Sequence, residues 1–226
     1  MNNNFRGQFF LLFLLLLTCV DAFSQYAYNS KPNIFIYIAD DHNSWDYTTF
    51  GNTQVKTTNF DRLVNEGLSF SNAYTSQAIC APSRSQLFTG LFPMKNGCFA
   101  NHLPVRNVKD INDFMSELGY DVVLAGKGHI KPNSVFNWTR YFPTNSDRLI
   151  PINKVEHYIA GSQKPLCIIF SSDLPHGPYP KSSDYNNKPL DYDPSSKTIS
   201  AKIGNHKAGY YHNIEEDNNQ LGRVLN

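Results

Sequence analysis

Ile34-Phe35-Ile36-Tyr37-Ile38-Ala39-Asp40-Asp41 is a nearly unbroken apolar, β-branched run that follows Pro32 and stops at two adjacent carboxylates. A strand buried on both faces cannot alternate with polar residues, so this run reads as a central strand of a parallel sheet. Outward from it, Thr58 to Glu66 reads as a helix with Phe60, Leu63 and Val64 on one face and Gly67 as its stop. A second helix is capped by Asp110, runs to Leu118 and ends at Gly119, feeding Tyr120 to Gly126 as a strand. A third helix near Asn153 to Ala160 precedes another strand, Leu166 to Ser172. Strands alternating with helices predict an α/β fold with a largely parallel central sheet flanked by helices.

Ligand sites in such sheets gather at the carboxyl ends of the strands. Asp40-Asp41 closes the first strand, Lys127-Gly128-His129 the second, and Asp173 to His176 the third. Each has a plain reading alone: paired Asp residues cap helices, a lone Lys is a surface charge, and His beside Pro belongs to a turn. Their convergence on three strand ends points to a site. Cys80-Ala81-Pro82-Ser83-Arg84, followed by Ser85, Gln86, Leu87, Phe88, Thr89 and Gly90, places a cysteine at the start of a short helix. Unpaired N–H groups and the helix dipole there favour an anionic ligand or a thiolate. Arg84 falls on the same helical face one turn on.

The five residues Cys80 to Arg84 resemble the C-x-P-S-R motif of the type I sulfatases, the formylglycine-dependent branch of the alkaline phosphatase superfamily. Thr75-Ser76 before it and Leu87 to Pro93 after it fit the same block, and the resemblance runs from Pro32 to the last residue. It implies an alkaline phosphatase-like fold and conversion of Cys80 to formylglycine (3-oxoalanine) by a formylglycine-generating enzyme. A hydrated aldehyde carries two hydroxyls on one carbon: one attacks sulfur, and the other loses its proton so that the sulfate is expelled without water attacking sulfur. The resemblance further implies that Asp40 and Asp41, together with the modified Cys80, hold one divalent cation, Ca²⁺. By the same resemblance Arg84 stabilises the ionised hydrate, Lys127 binds a sulfate oxygen and His129 helps the second proton leave. His176, in Leu174-Pro175-His176-Gly177-Pro178, then binds the sulfate or protonates the leaving group.

Asn96-Gly97 and the Gly-Lys-Gly-His form are most similar to the heparan N-sulfatase (sulfamidase) branch, which implies a sulfated carbohydrate carrying an N- or O-sulfate. Asn213 to Leu225, with Asp217, Leu221 and Gly222, resembles the family's helix before its second metal-binding segment. The sequence departs from the family pattern after Asn226, where the later Asp, the Asn or His, and a further Lys would follow. The expectation is therefore a fragment with little or no activity as the 226-residue chain. Two alternatives stay open: a phosphonate or phosphate ester hydrolase of the same superfamily, and a degenerate glycan-binding protein.

The rest of the sequence bounds these expectations. Phe9 to Leu17 is apolar, Arg6 is the only charge before Asp21, and Ala22-Phe23-Ser24 suits cleavage. Residues 1–24 thus read as a signal peptide and 25–226 as one catalytic domain, exported to the periplasm or the medium. The run is too short for a stable membrane span. Lipidation at Cys19 is disfavoured by Thr18 before it. A net charge of +1 with scattered Lys and Arg gives no strong electrostatic attraction to nucleic acid or membrane. Cys98 and Cys167 leave their pairing open, Cys167 reading as a small hydrophobe in a buried strand. Asn137-Trp138-Thr139 fits a glycosylation sequon, and Tyr179 to Tyr192 reads as a Tyr-, Asn- and Pro-rich surface loop.

Overall fold

The computed structural model describes residues 31–181 and 201–226. The residues read as a signal peptide, and most of those read as a Tyr-rich surface loop, lie outside the described residues. Residues 34–226 form one compact unit, built on a four-stranded, all-parallel sheet of order β1-β4-β2-β3. The strands are β1 (Ile34–Asp40), β2 (Asp121–Gly126), β3 (Arg140–Phe142) and β4 (Leu166–Pro175). The helices are α1 (Thr58–Glu66), α2 (Cys80–Thr89), α3 (Pro93–Asn96), α4 (Ile111–Glu117), α5 (Ile152–Gly161) and α6 (Ala201–Leu225).

Side chains alternate across a strand, so each strand feeds two cores. Val123, Ala125, Ile168 and Phe170 turn to one face and pack with Ile150, Ile152 and Val155 around α5. Leu124 and Ile169 turn to the other and meet Ala81 and Phe88 of α2 with Cys98, Val105, Ile130 and Phe136. β4 lies between two strands and is buried almost throughout, whereas β1 pairs only with β4 and leaves Ile34 and Phe35 exposed. The expected central position of the opening strand is therefore corrected: within the described sheet β1 is an edge. The apolar run records parallel pairing and a packed face, and does not fix how many neighbours a strand has.

Local chemistry sets the helix ends. The Asp110 side chain accepts from the N–H groups of Asn112 and Asp113, while the Asp113 side chain accepts from the Asp110 N–H, a capping box at the start of α4. Helix α2 begins at Cys80 without a side-chain cap from Ile79. The Ala81 N–H is instead met by Asn101 at 3.0 Å, and Pro82 has no N–H to satisfy. Buried Asn96 donates to Ser85, Thr89 and the Leu91 carbonyl, and accepts from the Cys98 N–H, fixing α2 to the turn that follows it. Cys80, Cys98 and Cys167 are all free thiols.

Candidate active site

Three strand ends and one helix start deliver the side chains. Asp40 is the last residue of β1, and Asp41 follows with φ of 62°. β2 ends at Gly126, φ 108°, where an added Cβ would lie 2.0 Å from the Ser171 carbonyl oxygen. Only glycine lets the chain approach β4 that closely and turn Lys127 inward, its N–H bonded to that same carbonyl at 2.7 Å. His129 sits at φ 51°. Left-handed backbone at two non-glycine site residues is strain of the kind that persists where the surroundings dictate it.

Asp40 is 4 % exposed and anchors the cluster. One of its oxygens pairs with the Lys127 ammonium and the other with Arg84 Nη2 at 3.3 Å. Burial alone would raise the Asp40 carboxyl, but Arg84 and Lys127 outweigh it and hold the group below the usual carboxylate range. Arg84 is buried beneath the site, where it donates to Ser171 Oγ and to the carbonyls of Ser172 (3.2 Å) and Lys127 (3.3 Å). Lys127 also pairs with Asp173 at 2.8 Å. Burial pulls the ammonium down, yet its hydrogen bonds to Asp173 and Asp40 prevail and keep it charged.

Cys80 Sγ stands 3.8 Å from Asp41 Oδ1. Burial, then the charges of Asp40 and Asp41, push its thiol up against the opposing pull of Lys127 and Arg84. The direction runs against the thiolate expected from a helix start, because burial and two carboxylates together outweigh the dipole. His176 donates from Nδ1 to the Gly177 carbonyl at 2.6 Å, which leaves Nε2 facing Asp41 Oδ2 at 3.6 Å. Burial first, then Lys127 and Arg84, lower the His129 imidazole so that it stays neutral. Its Nδ1 is buried with no hydrogen-bond partner among the described residues.

The structure brings together all seven residues singled out in the sequence. Asp40, Asp41, Cys80 and Arg84 line one cavity of about 350 Å³, which also takes in Asn43 and Ser83. Lys127 and His176 join it through Asp40 and Asp41, and His129 lies in the field of Lys127, Arg84 and Asp40. Asp40, Cys80 and His176 each offer a ligand atom within 4.8 Å of one another. Two carboxylates beside residue 80 suit a hard divalent cation, whereas sulfur does not; oxygen in place of that sulfur would complete an all-oxygen edge.

Two further polar residues belong to the cluster. Asp173 was visible as part of a strand end, but its double pairing with Lys127 and Arg148 was not. Arg148 lies in a loop between β3 and α5 where no spacing marks it.

The family model described as Sulfatase matches residues 32–226. An ulvan-active sulfatase of Formosa agariphila is 46 % identical over 210 residues, covering 88 % of this chain and 42 % of the relative. An N-acetylglucosamine-6-O-sulfatase of Bacteroides thetaiotaomicron is 31 % identical over 113 residues, 48 % of this chain and 20 % of that protein. The chain therefore spans less than half the length of these curated relatives. Among solved structures, BT4656 in complex with its substrate D-glucosamine-2-N,6-O-disulfate superposes with a TM-score of 0.68 at 16 % identity, covering 87 % of this chain and 62 % of that one. The phosphonate monoester hydrolase of Agrobacterium radiobacter superposes with a TM-score of 0.64 at 16 % identity, 86 % and 58 % covered. At such identities the likeness is one of fold, shared by both kinds of enzyme.

Proposed function

This chain belongs to the sulfatase family, and from that premise we propose that it supplies the nucleophile-bearing part of an enzyme that hydrolyses sulfate esters of a carbohydrate. Residue 80 acts as formylglycine, made by a formylglycine-generating enzyme, with Ca²⁺ held by Asp40, Asp41 and residue 80. The observation that carries this reading is the placement of the Cys80 side chain beside Asp41 and within reach of Asp40 and His176. A thiol raised above its ordinary range is poorly suited to attack, but its position suits a modified side chain bearing two hydroxyls. The cation, when bound, would hold a sulfate oxygen and withdraw charge from the ester.

The chain's own groups divide the remaining work. Lys127, kept charged by Asp40 and Asp173, offers its ammonium to a sulfate oxygen. Arg84, fixed to the backbone of β4, places a permanent positive charge under residue 80. His129, held neutral, can accept the proton of the second hydroxyl. His176, half-exposed and turned toward Asp41 through Nε2, can pass a proton to the departing sugar oxygen.

The names of the relatives, an ulvan-active and an N-acetylglucosamine-6-O-sulfatase, support a sulfated carbohydrate as substrate. They do not single out the heparan N-sulfatase branch. Export is proposed from the apolar run Phe9 to Leu17, and no described helix is long and apolar enough to cross a membrane. The whole protein, co-produced with a formylglycine-generating enzyme, is expected to release inorganic sulfate from a sulfated polysaccharide. Cys80→Ala should lower that release by roughly 10³-fold or more. Equal sulfate release from both would end the reading.

A further inference from the structure

Arg148 stands apart from the reacting groups, yet each of its guanidinium nitrogens is engaged. Nε donates to Asp173 Oδ2 at 2.7 Å, Nη2 to the carbonyls of Asp173 (2.8 Å) and His176 (2.7 Å), and Nη1 to the Pro178 carbonyl at 3.2 Å. All of these acceptors lie in the six residues that carry His176. The Arg148 backbone is held at φ 68°, a conformation side chains other than glycine rarely adopt. The turn around it is closed by Asn145, which bonds the N–H groups of Asp147, Arg148 and Leu149. A strained turn, braced from one asparagine, thus presents a planar fork to a single stretch of chain.

The consequences reach two of the site's groups. Asp173, gripped by Arg148 through Oδ2, uses Oδ1 to hold the Lys127 ammonium. His176 is fixed at its carbonyl by Arg148, while its own Nδ1 is tied to Gly177 and its Nε2 is left facing Asp41. We propose that Arg148 is a positioning residue: by clamping residues 173–178 it sets where the His176 imidazole and the Lys127 ammonium stand relative to residue 80. The kinetic part of this proposal rests on the sulfate-ester reading; the structural part does not.

Asn213 also donates to the carbonyls of Pro175 and His176, at 3.4 and 3.3 Å, so the segment stays tethered when Arg148 is replaced. Arg148→Ala and Arg148→Lys are therefore compared with the parent in the whole protein. Lysine keeps the charge but cannot span the acceptors, and it is expected to recover only part of the loss. Should Arg148→Ala not fold, Arg148→Lys is read alone. Hydrogen exchange at the amides of Leu174, His176 and Gly177 should quicken by about tenfold or more, with the rest of the sheet unchanged. Unchanged exchange at these amides overturns the proposal whatever the activity.

For the kinetics, kcat should fall roughly 10²-fold on a sulfated sugar, whose leaving oxygen needs a proton, with KM little altered. On an aryl sulfate, whose phenolate leaves without help, only the share owed to the Lys127 ammonium should be lost, so the fall should be smaller. An equal loss on the two substrates would mean that Arg148 does not place the His176 imidazole, and would overturn the proposal. Failure of the parent protein to hydrolyse either substrate would count against the sulfate-ester reading instead, and the exchange comparison would then decide the clamp by itself.

Discussion

At the scale of single residues, the site is a set of charges that hold one another. Asp40 is kept ionised by Arg84 and Lys127 although it is buried, and Asp173 by Arg148 and Lys127. Behind them lies a buried acid of the opposite tendency. Asp217 in α6 is fully buried and accepts from the Tyr37 hydroxyl at 2.7 Å, while its other oxygen has no partner among the described residues. Burial raises its carboxyl to about 7, against the pull of the nearby Ser172 and Tyr37 hydroxyls. Its folded form therefore binds a proton more tightly than the unfolded chain does. The stability this contributes is whole below about pH 4 and is lost as pH rises toward 7, at up to about 1.4 kcal/mol per pH unit. Asp217→Asn should flatten this slope between pH 4 and 7, read from urea midpoints across that range. A parent slope retained in the variant would show that another group sets it. The depressed Asp40 and Asp173 act with the reverse sign, losing their contribution as pH falls through the carboxylate range.

At the scale of elements, most of the framework was legible because apolar runs and caps say where strands and helices begin. Ile34 to Asp40, Thr58 to Glu66, Asp110 with its helix, and the Cys80 helix closed by Gly90 all form where the sequence placed them. The gaps have physical causes. β3 is three residues, Arg140-Tyr141-Phe142, too short to show a period. β4 runs on to Pro175, past the Ser172 at which the sequence reading ended it, because Lys127 and Arg148 neutralise Asp173 within the strand. Asp40, Asp41, Cys80, Arg84, Lys127, His129 and His176 were legible from strand ends and one motif, whereas Arg148 needed the tertiary fold to meet its acceptors. Gly126 is the element-scale hinge of the site. Gly126→Ala should cost about 3 kcal/mol or more, since the Ser171 carbonyl cannot retreat without breaking the β2 to β4 pairing. Thermal unfolding of the variant measures this, and a loss below 1 kcal/mol, about one methylene's burial, would contradict the packing described.

At the scale of the whole molecule, the four strands are asymmetric in cover. Among the described residues β4 is enclosed, while β1 forms an edge on which Phe35 is 48 % exposed, and Phe70 and Leu68 are 77 % and 90 % exposed. An open parallel edge beside exposed apolar side chains invites association. The 226-residue chain should self-associate at micromolar concentrations, and Phe35→Lys should weaken this by about tenfold, as sedimentation equilibrium would record. Monomeric behaviour of the parent chain at those concentrations would mean that the edge is covered.

The central claim is that residue 80 works as an aldehyde hydrate and not as a thiol. Its most direct test is the mass of the tryptic peptide Leu63–Arg84 from protein purified from its native host. The account predicts a peptide lighter than the encoded one by the difference between a thiol side chain and an aldehyde, and reactive toward hydrazines. A peptide of the encoded mass, alkylated at Cys80 as an ordinary thiol, would contradict it.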